Sequence, residues 1–122
     1  MYKAPKNDSK YSWTNHVFQK MQFYGISEGR IKRIIRFPKR YEGGIAPNTV
    51  AAMQPAGTKR YQEIWVMYKI IGGRKLDIKG LGSAKFGTEK KIKIITAWRY
   101  PGESPERDPV PEEIIKEVQT LL

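Results

Sequence analysis

One row of residues near the start of the chain has side chains suited to phosphate chemistry. His16, Lys20 and Tyr24 recur at intervals of four residues, so a helix would carry all three on one face. An imidazole there could transfer a proton, an ammonium group could bind phosphate and a phenol could contact an RNA strand. The alternative is a solvated or half-buried helix face on which His16 satisfies local hydrogen bonds. The spacing leaves both interpretations open.

A second group mixes cations and aromatic rings over two segments rich in β-branched residues. The later segment carries Lys91, Lys93 and Arg99 on one set of alternate positions. The earlier segment has Tyr61, Trp65 and Lys69 on one set of alternate positions, with Met67 on the same face. Alternate residues of a strand share a face, and cations hold phosphate while rings stack on bases. The pattern predicts a surface for single-stranded RNA with Arg99 as phosphate clamp; the alternative is charge that protects a sheet edge.

Metal-independent cleavage of RNA needs three chemical roles. A base removes the 2′-hydroxyl proton, an acid protonates the leaving oxygen, and cations neutralise the phosphorane. The candidates, in that order, are His16 or Glu63, Tyr100 or Lys93, and Arg99 with Lys20. One histidine and no cysteine exclude a two-histidine scheme within a monomer, a cysteine nucleophile and thiolate metal sites. We expect no metal and no other cofactor.

The charge of the chain is large and unevenly distributed. Its 122 residues include 23 basic and 12 acidic ones, a net charge of +11. Residues 103–122 hold six acids and two bases, a net −4, which leaves +15 on the rest. Such a positive body attracts polyanions, of which nucleic acid is the commonest in the cytoplasm. The alternative is a lysine-rich solubilising surface. Without an apolar run of membrane-spanning length or a signal peptide, we expect a cytoplasmic protein with no membrane partner.

Two short helices are predicted first. Thr14 is a good N-cap for a helix that ends at Tyr24, where Gly25 stops it. Ser27 caps a second helix, which Pro38 ends. Together they form a helical hairpin.

A period of two then replaces the helical period. Four strands are indicated, in the segments RYEGGIA, NTVAAMQP, YQEIWVMYKII and KIKIITAWRY, followed by a helix that begins at Pro111. We predict an α+β fold in which the hairpin packs on a four-stranded antiparallel sheet, with an additional C-terminal helix. That helix either closes the core or docks on a partner.

The chain length predicts a single domain over residues 1–122. Residues 12–100 form its core. Within it, residues 72–91 hold five glycines and six bases and form a basic flap, longer than an ordinary hairpin turn. Residues 101–122 form a proline-rich linker and the acidic C-terminal helix.

The segment HVFQKMQFYGIS, residues 16–27, resembles a known signature. It is similar to the His-Ala-x-x-Arg-Met-x-x-Arg-Gly-Ile pattern of a small family of BrnT-related domains within the RelE/ParE toxin superfamily. The spacing of His16, Met21, Gly25 and Ile26 agrees. The proline after the second helix and the last strand, IKIITAWRY, resemble the family too. Lys20 and Tyr24 replace two signature arginines, which removes bidentate phosphate recognition there.

The resemblance implies a RelE-like fold and a toxin-type protein that binds RNA, opposed by an antitoxin protein. Some toxins of this superfamily cleave RNA without metal, so a metal-independent endoribonuclease is the further expectation. Two alternatives stay open. One is a nucleic-acid-binding module without catalysis. The other is a protein-interaction domain whose acidic C-terminal helix docks on a partner or folds back over the basic sheet.

Overall fold

A computed structural model of the chain describes residues 3–72 and 90–120, and the predicted flap therefore lies mostly outside the described residues. Eight elements form in the described part: β1 (Tyr11–Trp13), α1 (Asn15–Tyr24), α2 (Glu28–Arg36), β2 (Arg40–Gly43), β3 (Thr49–Pro55), β4 (Gln62–Gly72), β5 (Lys90–Pro101) and α3 (Glu112–Gln119). The strands form one sheet in the order β1-β5-β4-β3-β2. The predicted α+β fold and its C-terminal helix are confirmed.

The sheet has one more strand than the sequence predicts. β1 pairs in parallel with β5, whereas the other neighbours are antiparallel. Polar side chains before β1 fix its backbone: Asp8 accepts from the backbone N–H of Tyr11 at 2.7 Å and Asn7 from that of Trp13 at 2.7 Å. The alternation of buried Tyr11 and Trp13 about Ser12 covers only three residues, too few to indicate a strand in an otherwise polar segment.

The helical hairpin forms as its caps predict. Thr14 Oγ1 accepts from the backbone N–H of Val17 at 3.0 Å, and Ser27 Oγ accepts from that of Arg30 at 3.1 Å. Gly25 ends α1 with φ 68°, a left-handed conformation that glycine adopts without strain. Thr14 also donates to Ile95 O at 2.9 Å, so the cap fastens α1 to the sheet.

The hairpin packs on one face of the sheet, which we call the first face. Apolar side chains of both helices meet those of β3, β4 and β5 there, burying Val17, Met21, Ile31, Ile34, Ala52, Ile64, Val66, Ile94 and Ala97. Burial of this area is the main favourable contribution to folding.

The opposite, second face is covered as well. The rings of Trp65 and Trp98 stack there with centroids 5.9 Å apart, and α3 packs Ile114 and Val118 into the same cluster. The sequence predicts an open, mixed aromatic and basic surface on this side. That prediction is wrong for the part around Trp65, because the proline-rich segment and α3 fold back over it.

A bulge in β5 decides which residues reach which face. Thr96 pairs with Met67 but Ile94 pairs with Tyr68, so Ile95 is the extra residue. An extra residue reverses the alternation of side chains beyond it. Ile94 therefore packs on the first face and Ile95 on the second. Residues after the bulge lie on the face opposite to the one that simple alternation predicts.

Within residues 3–72 and 90–120, no helix combines the length and the apolar character that a membrane crossing requires.

Candidate nucleic-acid interface

The cations of β5 do not share one face, contrary to the sequence prediction. Arg99 pairs with Ile64, which belongs to the first-face core. Lys93 pairs with Lys69 across the strands, on the side of Met67 and the second face. The bulge at Ile95 separates them. The predicted combination of Arg99 with Lys91 and Lys93 is therefore wrong.

Trp65 and Tyr61, the two aromatic residues that the sequence predicts to stack on bases, differ in their exposure to solvent. Trp65 is fully buried, between Trp98 and the guanidinium of Arg40 at 5.0 Å from its ring, so it cannot stack on a nucleobase. Tyr61 is 45% exposed. Of the predicted rings, Tyr61 is thus the one that RNA can reach.

Glu63 is a structural residue. Its carboxylate is fully buried and accepts from Ser104 Oγ at 2.6 Å, Trp65 Nε1 at 2.9 Å and Tyr61 Oη at 3.1 Å. Burial raises the pKa of Glu63, but the hydrogen bonds from Ser104, Trp65 and Tyr61 outweigh it, so the pKa lies below its ordinary value. A buried carboxylate with its oxygens occupied has no access to a 2′-hydroxyl.

The remaining candidates of β5 also lie apart. Tyr100 pairs with Glu63 and packs beside the second-face core, whereas Arg99 faces the hairpin. Lys91 pairs with Ile71, beside the Lys69 and Lys93 pair. The proposed acids and the phosphate clamp are thus on opposite faces of the sheet.

Arg99 links the end of α1 to β4. Its Nε donates to Tyr24 O at 2.8 Å, and Nη1 donates to Gln62 Oε1 at 3.3 Å. A cation at the carbonyl end of a helix is favoured by the macrodipole. Both bonds fix the side chain while leaving it half-buried, with its positive charge near the surface.

Arg30 lies near Arg99, and Arg33 lies near Arg30. Arg30 Nη2 donates to Pro55 O at 2.5 Å, which attaches α2 to the end of β3. The pKa of Arg30 is lowered first by burial and then by the charges of Arg33 and Arg99. The guanidinium of Arg30 is therefore repelled by those of Arg33 and Arg99, an arrangement that a bound anion stabilises.

The connection from β3 to β4 adds two cations at the same end of the molecule. It starts at Pro55, which contacts Arg30, and ends at Gln62, which contacts Arg99. Lys59 and Arg60 between them are exposed. We define the basic end as Arg30, Arg33, Lys59, Arg60 and Arg99. None of these five forms an ion pair with a carboxylate in the described part of the chain.

Tyr61 follows directly after Arg60 and adds an exposed ring to the basic end. Its pKa is raised by burial, by the hydrogen bond to Glu63 and by the nearby Glu103, so the ring is uncharged. Sequence reasoning found Arg99 and Tyr61 but missed Arg30, Arg33, Lys59 and Arg60. The arginines of the second helix were available as a signal, but only the fold shows that they meet the turn before β4.

The row on α1 meets a residue of α3. Lys20 Nζ lies 2.9 Å from Glu117 Oε1, and His16 Nε2 lies 3.5 Å from the same oxygen. Lys20 Nζ also lies 5.7 Å from the ring centroid of Tyr24. The three residues share a helix face, as their spacing predicts, but the acidic helix α3 lies against it.

His16, Lys20 and Glu117 line an open groove of about 470 Å³ between α1 and α3, together with Gln19, Phe23 and Thr120. Burial lowers the pKa of His16, Glu117 raises it and Lys20 lowers it again, with a net decrease from 6.5. His16 is therefore neutral at pH 7, the protonation state that a general base needs.

The described residues contain no group of three or more histidine and carboxylate side chains that could hold a metal ion. Comparison with known proteins finds no match: no family model, no curated protein and no solved structure is similar to this chain. The chemistry of the surface is therefore the basis for any functional conclusion.

Proposed function

We propose that this protein binds single-stranded RNA in the cytoplasm through the basic end. The observation that carries the proposal is the convergence of five cations, Arg30, Arg33, Lys59, Arg60 and Arg99, from three separate parts of the chain, none of them in an ion pair with a carboxylate of residues 3–72 or 90–120. Cations without carboxylate partners are free to neutralise backbone phosphates, the main source of affinity for nucleic acid.

Single-stranded RNA suits this surface better than a duplex. Arginine guanidiniums bind phosphate with two parallel hydrogen bonds, and the exposed ring of Tyr61 directly follows Arg60 in the chain, with its hydroxyl turned toward Glu63. A nucleobase can pack on such a ring only when it is not stacked on its neighbours. The bases of single strands are unstacked in this way. The mechanism is thus phosphate contact by the cations and stacking of one base on Tyr61.

The resemblance of residues 16–27 to BrnT-related domains gives this binding a biological setting. In a toxin-type protein, bound RNA would be the target and an antitoxin protein the inhibitor. The chain's net charge of +11 favours an acidic antitoxin segment, which would compete with RNA for the same cations. Growth arrest on expression, relieved by the adjacent gene, would support this setting.

The binding test uses a fluorescently labelled single-stranded RNA in EDTA, with anisotropy measured over a range of salt concentrations. Five phosphate contacts predict that log affinity falls against log salt with a slope of about −3.5. A polyglutamate of equal charge serves as control and should bind more weakly, because it offers neither phosphate geometry nor stacking. Absence of RNA binding at low salt, or affinity independent of salt, would contradict the proposal.

A second function, metal-independent cleavage of RNA, is favoured by the groove between α1 and α3. There the neutral His16 lies beside Lys20, so a base and a phosphate-binding cation are close together. Arg99, Tyr100 and Glu63 lie elsewhere and do not belong to this scheme. Glu117 forms an ion pair with Lys20, so RNA would have to displace the Glu117 carboxylate before it could bind Lys20.

If the protein cleaves RNA in EDTA, His16→Ala should reduce the rate about 100-fold or more, since a general base contributes roughly that factor. Product formation from labelled RNA on a denaturing gel measures it. The matched control is Gln22→Ala, a solvent-exposed residue of α1 outside the lining of the groove, which should cleave at the original rate. Equal rates for the His16 variant and the unmodified protein would remove the groove from catalysis.

A further inference from the structure

A cavity of about 310 Å³ lies on the first face of the sheet, at the far end of α2 from the basic end. It is lined by Lys10, Tyr11, Ile35, Arg36, Tyr41, Tyr68, Ile70 and Ile92. Three isoleucines form its apolar walls, and three tyrosines contribute hydroxyl groups. Two cations also line it: Lys10, which precedes β1, and Arg36, at the end of α2. Small-molecule sites have this composition, with a mainly apolar lining and a few convergent polar groups, and begin at about 300 Å³.

The hydroxyl of Tyr11 is the most informative group in this cavity. The side chain lies in the core, and the residue is 3% exposed. Its hydroxyl is buried and has no hydrogen-bond partner among the described residues. Buried polar groups without partners are rare and destabilising. Tyr11 lines the cavity, so a bound molecule that displaces the atoms covering this hydroxyl would supply the missing partner.

The second phenol is held as a neutral group. Tyr68 donates toward Tyr41 Oη at 3.5 Å, a long and weak bond that leaves it available to a ligand. Burial, followed by the contact with Tyr41, raises the pKa of Tyr68 far above its ordinary value. Tyr68 therefore offers a hydroxyl, not a phenolate, to a ligand.

Positive charge lies at the cavity as well. Lys10 and Arg36 are both exposed, and neither forms an ion pair with a carboxylate in the described residues. Lys32 Nζ lies 5.1 Å from the centre of the Tyr11 ring but forms an ion pair with Glu28 Oε2 at 3.1 Å, so the net charge at the cavity comes from Lys10 and Arg36. The positive field selects an anionic ligand.

We propose that this cavity binds a nucleoside monophosphate. The flat base would pack between Ile35 and Ile70 and take a hydrogen bond from Tyr11, and the phosphate would lie between Lys10 and Arg36. A single phosphate matches the two cations that line this otherwise largely apolar space. The cavity and the basic end use different residues of α2: Arg36 lies six residues, about 9 Å, beyond Arg30 along the helix and three residues, about 4.5 Å, beyond Arg33.

Isothermal titration of the full chain with AMP, UMP, adenosine and inorganic phosphate tests the site. A monophosphate should bind at least about tenfold more tightly than adenosine or phosphate alone. Tyr11→Phe should weaken it about tenfold, since a buried hydrogen bond is lost, and should raise the melting temperature because an unpartnered hydroxyl is removed. Arg36→Gln should lower the affinity for the monophosphate to that for adenosine. Lys39→Gln, at an exposed neighbouring position, should have no effect.

Three results would overturn the proposal. They are no binding of either monophosphate, equal affinity of Tyr11→Phe and the unmodified protein, and a lower melting temperature for Tyr11→Phe, which would mean that the hydroxyl already has a partner. Binding of benzoate at the same affinity as a monophosphate would also overturn it. RNA binding by the basic end is measured separately, with the oligonucleotide assay described above, so failure of one site is distinguishable from failure of the other.

Discussion

Replacing Glu63 by alanine should lower the free energy of unfolding by about 3–5 kcal/mol. The carboxylate receives hydrogen bonds from Ser104, Trp65 and Tyr61, and Arg40 Nη1 lies 3.6 Å away. Its removal leaves these donors without an acceptor in the core and detaches the segment that leads to α3. Urea denaturation followed by tryptophan fluorescence measures the change.

The matched control is Glu106→Ala, an acidic residue exposed on the same segment. It should change stability by less than about 0.5 kcal/mol. Equal stability of the two variants would mean that Glu63 does not organise the second face.

The same carboxylate makes stability depend on acid. The pKa of Glu63 in the folded protein lies below the ordinary 4.5, so the unfolded chain binds the proton more readily. Its stabilising contribution is complete above about pH 4.5 and is lost as the pH falls through the folded pKa. Glu63→Gln, which cannot ionise, should show a shallower decrease of stability in that acidic range.

The second large effect concerns RNA affinity. Substituting glutamine for Arg33, Lys59 and Arg60 together should weaken binding about 100-fold near 0.1 M salt and reduce the salt slope by about 2. These three residues are the exposed members of the basic end, so the fold should be preserved. Arg30 and Arg99 are left unchanged because their hydrogen bonds to Pro55, Tyr24 and Gln62 support the packing.

A charge-matched control separates location from net charge. Glutamine at Lys69, Lys91 and Lys93 removes the same three charges from the other end and the second face of the sheet. This variant should lose no more than about fivefold in affinity, the long-range effect of a reduced positive field. If the variant at Lys69, Lys91 and Lys93 loses more RNA affinity than the variant at Arg33, Lys59 and Arg60, the proposed position of the interface is wrong.

Local signals predicted the hairpin well, and the reason is physical. Thr14, Gly25 and Ser27 act on the backbone within three residues, so their effect does not depend on the rest of the chain. The strand segments around residues 62–71 and 91–100 were also evident, because long alternating runs of β-branched residues persist in any tertiary context.

The candidate site was predicted less well, since it depends on long-range packing. One extra residue, Ile95, reversed the faces of β5 and separated Arg99 from Lys93. No local pattern marks this bulge. The burial of Glu63 and Trp65 likewise depends on Ser104 and α3, which are about 40 residues or more away in sequence. The basic end depends on α2 meeting the connection between β3 and β4.

The most direct test of whether the basic end binds RNA is to locate bound RNA on the protein. Amide chemical shifts of the labelled protein, recorded during titration with a short single-stranded RNA in EDTA, report it residue by residue. We expect the largest changes at residues 28–33 and 56–62 and near Arg99, at the end of the molecule where these cations meet. Changes concentrated instead at Lys69, Lys91 and Lys93, or no changes at low salt, would contradict the proposed interface.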